Sequence, residues 1–439
     1  MRADKIFNSI FYFLFLSSIT LYIWINHLDF IGMGIFVLVS FFVLVFVKNT
    51  IHAFPYFFNM LFMISQTEWS LESIPIFLYA LPIILAIGFI IHYIRFRDEW
   101  FKGILTKPML LMFVAMALSI FNSQILDLNF VFYLVIGSFY VLLYVFFIQT
   151  IKGDQVEYII KLFVVLGLMI SLQILIYYMN SGDIAEALRS DRVNLGWGIS
   201  NFAATYLIMF ISATIYYVKT KPQYIFFSIV LAFEILMLIF TLSRGGVLSF
   251  IALMPLLIYY LYHGQKNKLY ITLYILMTLI ILVTVFIVRT DFFLPLFERF
   301  KDLDFKEGNG RVELWIQAYH KFLEYPLVGA GLFARVEGDY FGFYHNTFMH
   351  TLASLGLVGM ISLLWQIIVV SKLFLRKINL KKSILLIILL GANIHGMVDN
   401  VYFMPHFMVI FFAIVAVVEV DEHERLNQPY IWRLSNVKK

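Results

Sequence analysis

Apolar runs of about twenty residues follow one another along almost the whole chain. They constrain the fold more than any other feature, because a helix of that length pairs all its backbone groups internally while it crosses hydrocarbon. Such runs lie at 6–25, 30–47, 51–66, 76–94, 105–121, 129–149, 158–178, 198–217, 223–242, 246–262, 269–288, 347–371, 383–398 and 402–420. The run at 51–66 is short and carries His52, Pro55 and Asn59, which leaves twelve spans with re-entrant pieces as the other count. More spans follow the first run and no small-residue cleavage site does, so it reads as a span and not as a removable signal. The expected fold is an all-α polytopic membrane protein with 12–14 transmembrane helices and one long outer loop at 290–345.

Composition agrees with a lipid solvent. Hydrophobic residues make up 62% and charged residues 13%, with 48 Phe, 26 Tyr and 7 Trp, against about 45–50% apolar and about 25% charged in soluble domains. A water-soluble enzyme and a disordered chain are excluded. The net charge of +5 is spread over connecting loops and gathers on no face, which excludes a nucleic-acid binder. With no Cys, disulfides, thiolate metal sites and a cysteine nucleophile are excluded as well.

Lys and Arg are retained on the cytoplasmic side of a membrane. With Arg2 and Lys5 inside and the spans alternating, the inner connections hold Lys48, then Arg95, Arg97, Lys102 and Lys107, then Lys152, Lys219, Lys221, Lys266 and Lys268. Lys372, Arg376, Lys377, Lys381 and Lys382 and the tail with Arg425, Arg433, Lys438 and Lys439 fall on the same side. The scheme counts 51–66 as a span, since without it the cluster at 95–107 would lie outside. Of 32 basic residues ten remain outside: Arg189, Arg192, Arg244, Arg289, Arg299, Lys301, Lys306, Arg311, Lys321 and Arg335. Solvation on a long loop accounts for Arg299, Lys301, Lys306 and Lys321.

Arg244 has no long loop, because Ser243-Arg244-Gly245-Gly246 is a tight turn between two apolar runs. The glycines allow a sharp turn or a close approach to a ligand, and a guanidinium offers fixed donors suited to phosphate. Snorkelling to lipid headgroups is the plainer alternative. In the long loop, Gly308-Asn309-Gly310 precedes an amphipathic helix with Val312, Trp315, Ile316, Tyr319, Phe322 and Leu323 at helical spacing, capped by Asn309 and bounded by Pro326. Arg311 falls in its first turn, where free N–H groups and the dipole already favour an anion. A cation there serves something other than the helix, or pairs with Glu307 or Glu313. His345-Asn346 then leads into the run at 347–371, where Gly356 and Gly359 allow close helix packing. A neutral imidazole there can take a proton from a hydroxyl.

Ser243-Arg244-Gly245, Arg311 with Trp315, Pro326-Leu-Val-Gly329-Ala-Gly331, and His345-Asn346 followed by Gly356-xx-Gly359 resemble the signature of the bacterial O-antigen ligase and O-antigen polymerase superfamily. Gly196-Trp-Gly198-Ile-Ser-Asn201 resembles the family's segment after an earlier outer loop, and Gly396-Met-Val-Asp399-Asn400 its last outer turn. The resemblance covers residues 181–420 as a ligase/polymerase-like transmembrane domain, with N-terminal transmembrane helices at 1–180 and a cytoplasmic tail at 421–439. It implies a GT-C-like membrane glycosyltransferase of the bacterial inner membrane, with its active site on the extracytoplasmic face. Its donor would be a polyprenyl-diphosphate-linked glycan, transferred to a sugar hydroxyl with inversion, without cofactor or metal. His345 is then the general base, with Arg244 and Arg311 holding the departing diphosphate. Arg192, Asn201, Asn346 and Asp399 would then contact substrate, with pairing to Asp191 or Glu186 the alternative for Arg192.

The residues leave some points open. Glu234, in the run at 223–242, is either a protonated or paired structural group or part of an acceptor path. Asp399, four residues after His395, can share a helix face with it and orient a hydroxyl, or make a structural hydrogen bond. Tyr340, Phe343 and Tyr344 can stack on sugars or anchor the interface. His345 and His350 diverge on a helix and no close carboxylate pair accompanies them, so metal binding is not expected. A polymerase, whose acceptor is another lipid-linked repeat unit, is favoured over a ligase acting on lipid A core. A flippase would gather charge at the midplane and show two similar halves, whereas here the midplane offers mainly Glu234 and no internal repeat is seen.

Overall fold

A computed structural model describes residues 6–64, 80–96, 103–123, 141–190, 193–195, 198–221, 223–266, 268–301, 310–332, 334–337 and 340–426. The N-terminal half contributes helices α1 (Ile10–Ile25), α2 (Asp29–Phe46), α3 (Phe54–Ile64), α4 (Ala80–Phe96), α5 (Thr106–Ser119), α6 (Val141–Thr150), α7 (Val156–Met179) and α8 (Ile184–Ser190). A short ribbon of β1 (Asn194–Leu195) and β2 (Gly198–Ile199) precedes α9 (Ser200–Thr220), α10 (Tyr224–Phe240), α11 (Arg244–Tyr262) and α12 (Lys268–Val288). The loop region holds α13 (Thr290–Lys301), α14 (Arg311–Glu324), β3 (Arg335–Glu337) and β4 (Tyr340–Gly342); α15 (Thr347–Leu375), α16 (Leu380–Gly396) and α17 (Pro405–Leu426) complete the described chain. A helix occupies each of the fourteen apolar runs; their parts at 65–66, 76–79 and 129–140 lie outside the described residues. Among the described residues α2, α7, α9, α11, α12 and α15 are each long and apolar enough to cross a membrane. The chain is an all-α, multi-pass membrane protein.

The connections alternate between two ends of the bundle. At one end Lys221 pairs with Glu157 at 2.8 Å, Lys381 with Glu157 at 3.4 Å and Asp154 at 3.5 Å, and Lys382 with Glu422. Lys219 donates to the carbonyl of His263 at that same end. These bonds gather the starts of α7 and α16 and the ends of α9, α11 and α17. The opposite end collects the starts of α9, α11, α15 and α17, and the loop elements lie there. The center is apolar: α9 is buried over most of its length, between α7, α10, α11 and α16.

α15 is not continuous. Gly356 sits at φ 60, ψ −157, a backbone region almost reserved for glycine. The break frees backbone groups inside the bundle, where they need partners. The segment after α14 supplies them. Ala330 and Gly331 donate their N–H groups to the carbonyls of Ala353 and Ser354 at 2.9 and 3.0 Å, and the N–H groups of Leu357 and Val358 donate to Pro326 and Leu327 at 2.9 and 3.1 Å. The expectation that Gly356 serves close helix packing is corrected: it opens the helix so that the Pro326–Gly331 segment can lie in it. A Cβ on Gly356 would come within 2.5 Å of the Leu327 carbonyl oxygen.

α14 differs from the sequence reading in two respects. Its N-cap is Gly310, at φ 79, and Asn309 lies outside the described residues. Its inward face carries Arg311, Leu314, Trp315, Ala318 and Phe322, whereas Val312, Ile316, Tyr319 and Leu323 of the expected apolar stripe are exposed. Two apolar stripes suit a helix lying at a membrane surface with protein on one side and lipid on the other. The hairpin β3–β4 pairs Arg335 with Gly342 and Val336 with Phe341, and Arg335 donates to the Phe343 carbonyl at 3.0 Å.

Candidate functional site

Arg244 is the first residue of α11. The chain turns two residues earlier, at Leu242 with φ 55, and Ser243 caps the helix by accepting from the Gly246 N–H at 3.1 Å. The expected tight turn at Ser243-Arg244-Gly245-Gly246 is therefore a cap and a first helical turn. Gly246 is needed for approach: a Cβ there would lie 2.5 Å from that of Ala204 on α9. That contact sets the half-buried Arg244 beside the start of α9.

A chain of side-chain hydrogen bonds ties four separate segments together at this end. The Ser243 hydroxyl donates to Asn201 Oδ1 at 2.7 Å, and Asn201 Nδ2 donates to Asp399 Oδ2 at 2.6 Å. Asp399 Oδ1 accepts from His345 Nδ1 at 3.0 Å and from the Asn400 N–H at 2.8 Å. Asp399 lies past the end of α16, so its side chain turns to His345; the expected shared helix face with His395 is corrected. Burial pushes the Asp399 carboxyl up, but the hydrogen bond from His345, the nearby imidazoles and the Asn400 N–H outweigh it and hold it below its ordinary value. Asp399 is therefore a carboxylate that accepts the Nδ1 proton of His345, and Nε2 is the ring nitrogen left to face a substrate.

His345 precedes α15 and is not part of it. Its φ of 46 is rare for a residue with a Cβ. Its side chain is 35% exposed while that of Asp399 is 4% exposed, so the imidazole has one buried edge and one open edge. Asn346, expected to touch substrate, is occupied by the fold. Its Oδ1 accepts from the N–H groups of Phe348 and Met349 at 2.9 and 3.0 Å, and its Nδ2 donates to the Met397 carbonyl at 2.9 Å. It locks the start of α15 to the turn that carries Asp399.

Arg311 opens α14 at the same site. Its Nη1 would lie 3.7 Å from a Cβ on Gly245, the residue after Arg244. Burial pulls the Arg311 guanidinium below the usual arginine range; the Asp399 charge acts against this, and the Arg244 charge adds to it. Arg311 makes no ion pair among the described residues: Gln317 donates to Glu313 at 3.5 Å, and Glu307 lies outside them. The Arg244 and Asp399 charges thus act on Arg311 in opposite directions. Two guanidiniums, each on the first residue of a helix, have the chemistry to hold an anion.

The remaining expected residues separate. Arg192, with Asp191, lies outside the described residues. Tyr344 is buried, packed with His350, and Phe343 also contacts His350 at 5.1 Å; neither Tyr344 nor the buried His350 presents a face to a sugar. The Tyr340 side chain lies outside the described residues. Glu234 is buried within α10 against Gly167, whose missing side chain leaves it room. Among the described residues no group of three or more His, Asp or Glu is arranged to hold a metal ion. Sequence reasoning missed Thr205 as a member of this end and took Ser243 only as part of the Ser243-Arg244-Gly245 turn. Thr205 Oγ1 lies 2.6 Å from His395 Nδ1. No spacing signals either one, because their partners come from other helices.

Residues 226–364 match the family model described as O-antigen ligase. That segment runs from α10 into α15 and contains Arg244, Arg311 and His345, while Asn201 and Asp399 join them from outside it. No curated protein matches the chain.

Proposed function

We propose, from the premise that residues 226–364 belong to the O-antigen ligase and polymerase superfamily, that this membrane protein transfers a glycan from a polyprenyl diphosphate to a sugar hydroxyl. The observation that carries the reading is the hydrogen bond from His345 Nδ1 to the buried Asp399, in a site that also holds Arg244 and Arg311. His345 Nε2 takes the proton of the acceptor hydroxyl as its oxygen attacks the anomeric carbon. The bond from that carbon to the diphosphate oxygen breaks, and the polyprenyl diphosphate leaves with the electron pair. One displacement inverts the anomeric center. Asp399 fixes the tautomer of His345 and stabilises the imidazolium as it forms. Arg244 and Arg311 act where negative charge grows, so they stabilise the transition state more than the bound donor.

The acceptor in this reading is a second lipid-linked repeat unit, which makes the protein a polymerase of the extracytoplasmic face of a bacterial inner membrane. Transfer to lipid A core is the alternative, and the product of a reconstituted reaction tells the two apart. The test of the site uses His345→Ala, Arg244→Ala and Arg311→Ala in protein shown to be membrane-inserted, assayed with purified lipid-linked glycan. Charge-assisted hydrogen bonds contribute about 1.5–3 kcal/mol each, so each arginine variant is expected to lose roughly tenfold to a hundredfold in turnover, and the histidine variant at least as much. Full turnover in all three overturns the assignment.

A further inference from the structure

We infer that the notch over Gly245, between His395 and Arg311, is a subsite for one hydroxyl group of the sugars, in which the hydroxyl donates to His395 and accepts from Arg311. The inference rests on the transfer reading above and adds a recognition element to it.

His395 is fully buried in the last turn of α16. The Thr205 hydroxyl donates to the Asn201 carbonyl at 3.0 Å. Its single proton is used there, so in its 2.6 Å contact with His395 Nδ1 the hydroxyl accepts, and Nδ1 carries the hydrogen. Nε2 therefore presents a lone pair. It has no hydrogen-bond partner among the described residues, which a buried nitrogen rarely tolerates.

The position of Gly245 shows where that lone pair opens. A Cβ there would lie 3.3 Å from His395 Nε2, 3.3 Å from a Val398 methyl and 3.7 Å from Arg311 Nη1. The absent side chain leaves a small notch with an acceptor on one side, a donor on another and an apolar wall. A hydroxyl satisfies both polar sides at once. A phosphate oxygen without a proton would meet the Nε2 lone pair and be repelled, so the notch distinguishes sugar from diphosphate although Arg311 borders both. The hydroxyl comes either from the donor sugar or from the acceptor.

The test compares His395→Phe and Gly245→Ala in reconstituted protein, with polyprenyl-diphosphate-linked glycan extracted from the source membranes. Gly245→Ala fills the notch without altering His395, so it serves if His395→Phe fails to fold. We expect a rise in KM of at least about tenfold for one substrate, with kcat little changed, as for sites that hydrogen-bond a substrate hydroxyl. A rise for the donor assigns the hydroxyl to the donor sugar, and a rise for the acceptor assigns it to the acceptor. Thr205→Val should shift the same KM, and Thr205→Ser should restore it. Binding of sugar-free undecaprenyl diphosphate, read by thermal shift, should not change. Unchanged KM for both substrates means that the notch holds only water, and weaker undecaprenyl diphosphate binding means that it holds phosphate; either result overturns the inference. An active His345→Ala sinks the transfer reading itself, whereas an inactive His345→Ala beside an unchanged KM in His395→Phe sinks only the subsite.

Discussion

Asp399 holds two elements with its two oxygens, His345 before α15 on one and Asn201 at the start of α9 on the other. Replacing it by Asn preserves the shape and removes the charge that sets the His345 tautomer. Turnover in Asp399→Asn is expected to fall by about two to four orders of magnitude with a smaller change in KM, by analogy with serine-protease triads. The same variant has a pH signature. The Asp399 carboxyl is held below its ordinary value of 3.8, so its contribution to stability is fully present above that pH and is lost as pH falls through the lower folded value. Thermal midpoints of the detergent-solubilised protein, followed from about pH 6 to about pH 3, should therefore fall less steeply in Asp399→Asn than in the parent. Equal slopes would show that the carboxylate is not held by these partners.

The broken α15 and the Pro326–Gly331 segment act as one element. The break exposes the carbonyls of Ala353 and Ser354 and the N–H groups of Leu357 and Val358, and the segment after α14 satisfies all four. This junction carries α14, and hence Arg311, toward the His345 end of α15. Gly356→Ala places a Cβ in a glycine-only region and 2.5 Å from the Leu327 oxygen. The strain alone costs about 1–3 kcal/mol. The variant should lower the thermal midpoint and weaken transfer, although Gly356 belongs to no site. A Gly356→Ala protein with parental stability would show that the helix closes without the break.

At the scale of the molecule, the alternating connections put Lys221, Lys381 and Lys382 at one end and Arg244, Arg311 and His345 at the other. The chain has no native Cys, so single cysteines report without background. An impermeant maleimide applied to intact cells should label positions 311 and 345, and should label 221 and 381 only after permeabilisation. Labelling of 311 and 345 only from the cytoplasm would remove the donor from reach and end the polymerase reading.

The apolar runs determined the fold class and the place of the helix in each of the fourteen runs, because the need to pair backbone groups in hydrocarbon acts locally and leaves a pattern about twenty residues long. Arg244 and His345 were legible for a related reason, since polar groups beside apolar runs stand out, and Arg311 because a cation in the first turn of a helix is out of place. The sequence could not show that Asp399 bonds His345 and Asn201, that Asn346 is used as a cap and tie, or that Gly356 breaks its helix to seat a loop. Those arrangements were decided by the tertiary structure, since each depends on contacts between helices far apart in the chain. Hydrogen bonds from Ser243 to Asn201 and from Asn201 to Asp399 leave no periodic trace in either partner. Only the packing of α9 against α11 and α16 brings their polar ends within reach of one another.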